Sequence, residues 1–398
     1  MILSPIYLNK HADRRLQTGH LWIYSNEIDT HQSPLSNFEP GQNVAVFSHT
    51  HKPLGTGYIN PHSLICIRLI SQNPNDYLSR TLLEQRLKEA LSLRERIFEK
   101  PFYRLVFGES DGLPGLVIDR FHDVLSVQIT TMGMERIRHD ILDVLEQVLA
   151  PRAVVLRNDT SVRILEGLEN YIEVVKGHVP EEVFLEENGV PFKTSVLEGQ
   201  KTGWFYDHRF NRARLGNYVK QQRVLDVFSY HAAWGIQAAV AGAKEVWCID
   251  SSEKALTYAK ENAQLNQVTH RVQYLRDDAF EALKNLRHEK QYFDVIILDP
   301  PALIKRKKDQ PEGEQAYRRI NQLAMQLLTK EGFLMSASCS LHFSRQALLE
   351  ALTKASQKIN SKLQILEQGY QASDHPIHPA IPETAYLKMF ICSLRKKA

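Results

Sequence analysis

Two short stretches carry side chains that could do chemistry. The first is Asp299-Pro300-Pro301, which closes the continuous apolar run 292–298. Such a run reads as a buried parallel strand. Ligands in parallel sheets sit at the carboxyl ends of strands, so Asp299 is directed toward a bound substrate. The two prolines stiffen the turn that holds it, although a purely structural turn would look the same. The second stretch is Ser338-Cys339-Ser340, which closes the strand 332–337. A lone buried cysteine is usually a small hydrophobe, but a thiol at a strand end beside Asp299 can act as a nucleophile. Ring carbon C5 of a pyrimidine is too weak a nucleophile to take a methyl group unaided. A thiolate adding at C6 makes C5 enolate-like, and a carboxylate holding N3 and the amino group would stabilise the adduct. Cys339 and Asp299 are therefore the candidate catalytic pair.

A cofactor site is expected in the run 223–250. A short apolar strand, 224–228, turns through Ser229-Tyr230-His231-Ala232-Ala233 into an alanine-rich helix, 234–241, with Gly242 as its C-terminal cap. A second strand, 245–249, ends on Asp250, placed to accept hydrogen bonds from ribose hydroxyls. The glycine fingerprint of dinucleotide folds is missing, because Ala232 and Ala233 stand where glycines would let a pyrophosphate approach. That favours S-adenosylmethionine (SAM) over NAD. Further on, Ser252 caps a helix, and the strand 272–275 leads to Asp277-Asp278-Ala279, where Asp278 can serve an adenine amino group or cap the next helix. The candidate cofactor residues are Asp226, Phe228, Ser229, Tyr230, Gly235, Asp250, Ser251, Asp278, Ala279 and Asp299. No cluster has metal-ligand spacing.

These residues need a scaffold. At 398 residues the chain has room for two or three domains, and 43% hydrophobic with 24% charged content is ordinary for a globular protein. A net charge of +3 neither demands nor excludes a nucleic-acid partner. Four scattered cysteines fit a reducing compartment, and neither a signal-peptide core nor a membrane-length apolar run is seen; a cytoplasmic enzyme is expected. Residues 1–72 are rich in short strands (6–8, 43–47, 54–59, 64–69) and carry Lys10, Arg14, Arg15 and Arg68 with the aromatics Trp22 and Tyr24. That mixture suits RNA, and equally a solvated face. Residues 73–185 read as a small α+β domain with helices at 77–98 and 134–149 and strands near 117–120, 124–130, 153–156 and 171–175. Leu82, Leu83, Leu87, Ala90, Leu91 and Ile97 form the first helix's core stripe. Residues 186–398 form the α/β domain. Lys305, Arg306 and Lys307, just beyond Asp299, read as phosphate contacts.

Several stretches resemble one family. Lys10-His11-Ala12-Asp13-Arg14-Arg15-Leu16, leading into Gly19-His20-Leu21-Trp22, resembles the opening of PUA domains, small RNA-binding β-barrels. The run 108–115 resembles the family's G-E-S-D-x-L-P-G pattern, and the run 200–209 its G-x-K-T-G-x-x-x-D-x-R segment. Together with D-P-P, S-C-S and the end at 374–376 and 383–388, the whole chain is similar to PUA-containing 23S rRNA cytosine-C5 methyltransferases. The resemblance implies a class I (Rossmann-like) SAM-dependent domain closed by an antiparallel pair at 364–371 and 386–394. It also implies that Lys201 and Phe205 border the SAM pocket, and that 23S rRNA is the partner. A homodimer is a further candidate assembly. Ala302 stands where amine methyltransferases place a stacking aromatic, which favours the ring-carbon reaction. Methylation at another position, and a non-catalytic RNA-binding protein with a degenerate methyltransferase domain, are the competing readings. A NAD-dependent oxidoreductase is more distant.

Overall fold

The computed structural model describes residues 3–396. The chain divides into two compact units. One holds residues up to 183 with 195–206 and 373–385; the other holds 184–194, 207–372 and 386 onward.

The second unit is built on a seven-stranded sheet. Its strands are β1 (Arg223–Val227), β2 (Glu245–Asp250), β3 (Val272–Arg276), β4 (Phe293–Leu298), β5 (Leu328–Ser338), β6 (Ser361–Gly369) and β7 (Lys388–Lys396). They lie in the order β3-β2-β1-β4-β5-β7-β6. The first five run parallel, and β7 inserts antiparallel between β5 and β6. Five helices connect them: α1 (Ala233–Val240), α2 (Glu253–Leu265), α3 (Ala279–His288), α4 (Gln310–Leu327) and α5 (Arg345–Lys358). The central strands are apolar over most of their length, with Asp226 in β1 and Asp294 in β4 as exceptions, because both sheet faces are covered. Leu225, Ile296, Leu298 and Leu334 are wholly or almost wholly buried against Leu283, Leu327 and Leu352, each contributing about 1.5–3 kcal/mol. Ser252 caps α2 by accepting from Ala255 N, and Asp278 caps α3 by accepting from Phe280 and Glu281. Gly242 ends α1 with φ +94, a value that suits glycine. The strand order reverses at β1, which is flanked by β2 and β4, and a ligand crevice opens at such a point.

The first unit carries two five-stranded sheets. One runs in the order Ser4–Tyr7, Gln42–Phe47, Pro53–Ile59, Ile65–Ser71, Trp22–Tyr24. The other runs Tyr171–Lys176, Ala153–Asn158, Val124–Ile129, Leu116–Phe121, Phe102–Phe107. The expected strands form with shifts of a residue or two. Phe102–Phe107 was not expected; its Arg104 interrupts the apolar pattern and is neutralised by a two-pronged pair with the buried Asp119 at 2.8 Å. The helix expected over 77–98 runs Arg80–Ile97, and that expected over 134–149 forms as two, Met132–Arg136 and Arg138–Leu149. Ile97, placed in the core stripe by its spacing, is 42% exposed, whereas Arg94 is fully buried. Arg94 grips both carboxylate oxygens of Asp111 at 2.6 and 2.7 Å, a pairing that periodicity cannot show.

Arg68 is a second interior cation, so its place on a basic surface is corrected. Its guanidinium donates to Glu166 at 2.9 Å, where Ser63 Oγ and Asn60 Nδ2 also donate. Among the described residues no helix is long and apolar enough to cross a membrane, and no group of three metal-ligating side chains gathers.

Candidate active site

The site gathers at the carboxyl ends of β1, β2, β4 and β5. After β1 the backbone enters the left-handed region at alternate residues: φ is +64 at Phe228, +49 at Tyr230 and +58 at Ala232. None is glycine, so the turn is strained, at a cost on the order of 1–3 kcal/mol per residue. The Asp250 carboxylate holds it, accepting from Tyr230 N and from Ser252 N, each at 2.9 Å. Ala232 thus adopts the conformation for which a glycine was expected.

Asp226 lies inside β1, and its Oδ2 accepts from Gly235 N at 2.9 Å, tying strand to helix. Burial pushes this carboxyl up to about 8 despite that hydrogen bond, with Asp299 and Asp250 adding to the rise. Gly235 is required here by space: a Cβ would lie 2.6 Å from Cys248 Sγ and 3.2 Å from Asp226 Oδ2. Gly235→Ala is expected to cost roughly 1–3 kcal/mol in denaturant unfolding and to weaken SAM binding by calorimetry. A variant as stable as wild type with unchanged affinity would contradict this packing.

The Asp299 carboxylate follows β4 and is held on both oxygens. His208 Nε2 lies 3.1 Å from Oδ1, and Trp234 Nε1 donates to Oδ2 at 3.0 Å. Burial pushes its carboxyl up, but the neighbouring His208 and these hydrogen bonds outweigh it and hold Asp299 below the usual carboxylate value. Cys339, half-buried at the end of β5, places Sγ 3.9 Å from the Pro300 carbonyl. Its two serine neighbours serve as anchors. Ser338 Oγ donates to the Tyr317 hydroxyl at 2.8 Å, Tyr317 shares a 2.8 Å hydrogen bond with Ser340 Oγ, and Ile304 N donates to Ser340 Oγ at 3.1 Å. Thiol and carboxylate thus stand on neighbouring parallel strands, β4 and β5.

His231 lies in the turn between β1 and α1, as expected, and its ring packs into an aromatic stack. It lies 3.7 Å from the Tyr230 ring and 4.5 Å from Tyr258, with Nδ1 3.1 Å from Thr194 Oγ1. Burial, with a smaller push from Lys254, lowers its pKa to about 3. A folded pKa below the unfolded value near 6.5 means stability is fully present above pH about 6.5 and is lost as pH falls toward 3. Unfolding free energy is therefore expected to drop, by at most about 1.4 kcal/mol per pH unit from this one proton, between those values. His231→Phe should flatten that slope in denaturant titrations at pH 7 and 5; an unchanged slope would show that His231 is not its source.

Of the other candidates, Ser251 is exposed at the end of β2, Ala279 opens α3 and Asp278 spends its Oδ1 on the cap. Lys201 and Phe205 belong to the first unit, where Lys201 Nζ lies 4.9 Å from the Phe205 ring centroid. Lys10 and Arg14 are exposed, but Arg15 is engaged by both oxygens of Glu27 at 2.8 and 2.7 Å. Lys305 and Lys307 are exposed, and Arg306 is paired with Asp309 at 2.8 Å. Three contributors escaped the sequence reading: His208, Trp234 and Tyr317. His208 sits inside the run 200–209 that carries the family resemblance; nothing in the sequence marks the other two.

Asp250 and Asp299 give the strand ends an acidic character, which suits a cationic ligand and repels a pyrophosphate. The Ser229 hydroxyl and Asp226 Oδ1 are buried there without a protein hydrogen-bond partner, so polar groups remain to receive one. This sheet order, with an acidic crevice and no glycine-rich pyrophosphate loop, defines a class I SAM-dependent methyltransferase.

The comparisons agree. Residues 6–72 match the PUA-like domain family and residues 149–389 the S-adenosylmethionine-dependent methyltransferase family. The ribosomal RNA large subunit methyltransferase I of Pseudoalteromonas atlantica is 34% identical across 98% of this chain and 99% of its own. That of Tolumonas auensis is 36% identical, with coverage of 97% and 98%. The crystal structure of SMU.776 complexed with SAH superposes with a TM-score of 0.84 at 21% identity, over 99% of this chain and all of its own, a likeness of fold. The chain belongs to the SAM-dependent methyltransferase family, within the PUA-domain group that includes the ribosomal RNA large subunit methyltransferase I proteins. Its cofactor is S-adenosylmethionine.

Proposed function

We propose that this protein methylates C5 of a cytosine in large-subunit ribosomal RNA through a covalent bond between Cys339 Sγ and C6. The observation that carries the reading is the placement of a half-buried thiol at the end of β5 beside the Asp299 turn. The names of the two relatives supply the RNA class. Asp226, Phe228, Ser229, Tyr230, Gly235, Asp250, Ser251, Asp278 and Ala279 line the cofactor crevice in this reading; Lys201 and Phe205 are cofactor candidates by the resemblance alone. When bound, the cofactor supplies an electrophilic methyl group on a sulfonium. Cys339 Sγ adds to C6, and the ring electrons move to C5. Asp299, pre-oriented by His208 and Trp234, accepts from the amino group and from N3–H once N3 takes a proton from solvent as charge develops on the ring, a proton returned when the adduct collapses. Once C5 is methylated, its proton leaves to a base and the C6–sulfur bond breaks, returning the thiolate.

Residues 1–72, 73–185 and 186–398 act as RNA-binding, central and catalytic modules. Lys10, Arg14, Arg15, Lys305, Arg306 and Lys307 supply phosphate contacts, the two engaged arginines by exchanging their carboxylate partners. A cytoplasmic location fits four free thiols, and a second copy of the chain is a candidate partner, to be read from solution mass.

The test is incubation with 5-fluorocytosine-substituted rRNA fragments and SAM, followed by a denaturing gel. Fluorine cannot leave as the proton does, so a protein–RNA band should accumulate and should vanish in Cys339→Ala. Methylation of unsubstituted fragments without any trapped band would overturn the adduct.

A further inference from the structure

Lys388 is an interior cation for which the reaction above has no use. It lies on β7 opposite Ser338 in antiparallel register and is 5% exposed. Its Nζ donates to the carbonyl of Ser340, the residue after Cys339, at 2.5 Å and to the carbonyl of Tyr386 at 2.9 Å. These carbonyls take two of the three donors of an ammonium and offer no full negative charge. The ionisable side chains whose charge it feels are Cys339 at the end of β5 and Arg345 on α5. Arg345 is itself occupied, donating to the Gly369 carbonyl at 3.0 Å with its guanidinium 3.8 Å from the Tyr370 ring centroid. From α4, Tyr317 also faces the thiol; burial pushes its hydroxyl up, so it stays neutral. Among the described residues no carboxylate acts on this buried ammonium, so it lacks a counter-ion unless the thiol of Cys339, the residue before Ser340, provides one.

We propose that Lys388 holds Cys339 as a thiolate at neutral pH, acting as a positioning residue for the nucleophile. The inference rests on the reading of Cys339 as the attacking group. The two charges stabilise each other reciprocally. Burial lowers the Lys388 amine to about 8 while Cys339 draws it back up, so the cation is present at neutral pH and is lost as pH rises through about 8. The proton given up by the thiol goes to solvent. The same thiolate is the leaving group when the C6–sulfur bond breaks, so an ammonium beside it favours both the first and the last step.

The experiment follows alkylation of Cys339 by iodoacetamide against pH in the full chain, read by peptide mass spectrometry, with neither RNA nor SAM added. Cys66, Cys248 and Cys392 are buried and report on folding by staying slow. In wild type the rate should titrate with an apparent pKa below the free-cysteine value of about 8.5. Lys388→Gln should raise that pKa by about one unit, lowering the rate at pH 7 about tenfold, and Lys388→Arg should keep it within about threefold of wild type. An unshifted profile in Lys388→Gln, with the buried cysteines still slow, would overturn the proposal. If Lys388→Gln unfolds and the buried cysteines react, wild type decides: an apparent pKa at or above about 8.5 overturns it, and one clearly below, retained in Lys388→Arg, supports it. Cys339→Ala that still methylates RNA would instead sink the adduct reading. The two failures are therefore separable.

Discussion

With Cys339 changed to alanine, methyl transfer to rRNA fragments is expected to fall by on the order of a thousandfold or more, while SAM binding by calorimetry stays within about twofold of wild type. The asymmetry follows from where the thiol sits. Cys339 closes β5, whereas the groups proposed to hold the cofactor lie on β1, β2 and the turn that Asp250 supports. Removing Sγ forfeits a weak 3.9 Å contact to the Pro300 carbonyl and the charge partner proposed for Lys388. Burial already lowers that amine to about 8, so it can shed its proton and keep the loss of stability moderate. The serines that anchor the turn through Tyr317 are untouched. The chemical loss is large because an unassisted pyrimidine C5 is a poor nucleophile, and no neighbouring group replaces a thiolate in adding to C6. Retained methylation at more than about a tenth of the wild-type rate would rule the covalent route out. The same methylated base at that rate would then leave amine chemistry, or another activation of C5, to be found by nucleoside analysis.

Arg212→Ala is expected to be the most destabilising single change in the second unit, costing about 3–5 kcal/mol and lowering the thermal midpoint by roughly 10 °C. Arg212 and Glu187 form an ion pair with 2% and 0% of their side chains exposed. Both nitrogens of the guanidinium edge donate to the two carboxylate oxygens, and Gln237 Nε2 donates to Glu187 Oε1 at 2.8 Å. Removing the guanidinium deprives a buried carboxylate of its two-pronged cation, while Gln237 and the more distant Arg209, 4.0 Å away, stay beside it. Arg212→Lys should recover little, since an ammonium cannot span both oxygens. The double variant Glu187→Gln with Arg212→Met should be milder than Arg212→Ala, because the penalty is an unpaired charge rather than a lost bond. A cost below about 1 kcal/mol would mean that water reaches Glu187. Activity should suffer as well. The Arg212 guanidinium carbon lies 5.7 Å from the Trp234 ring centroid, and Trp234 is one of the two groups holding Asp299.

The cofactor class was legible because it depends on local chain chemistry. An apolar strand, a turn without glycines and an acidic strand end occupy one contiguous run, and backbone geometry carries them to the same crevice wherever the run sits. The caps at Ser252 and Asp278 were readable for the same reason, whereas the pairing of the last two strands came from the family resemblance. The strand-end positions of Asp299 and Cys339 came from apolar runs of strand length followed by turn residues. What failed to show were partnerships between distant segments. Arg68 looked like a surface charge, and nothing singled out Arg94, because their carboxylates, Glu166 and Asp111, are 98 and 17 residues away. Arg104 hid a strand because its neutralising Asp119 lies on the next one.

The sequence by itself pointed to a βαβ unit suited to SAM and to Asp299 and Cys339 as candidate reactive side chains, from residue type and strand-length apolar runs, while the PUA-like and methyltransferase domains were read from resemblance. Only the tertiary structure decided how those side chains are held. His208 and Trp234 on Asp299, Tyr317 beneath the serines, and Lys388 against the Ser340 carbonyl come from different elements. No spacing rule joins them. They meet because the parallel order β1-β4-β5, and the antiparallel β7 laid beside β5, bring remote strand ends to one edge of the sheet. There a buried charge must find its partner, however far along the chain that partner lies.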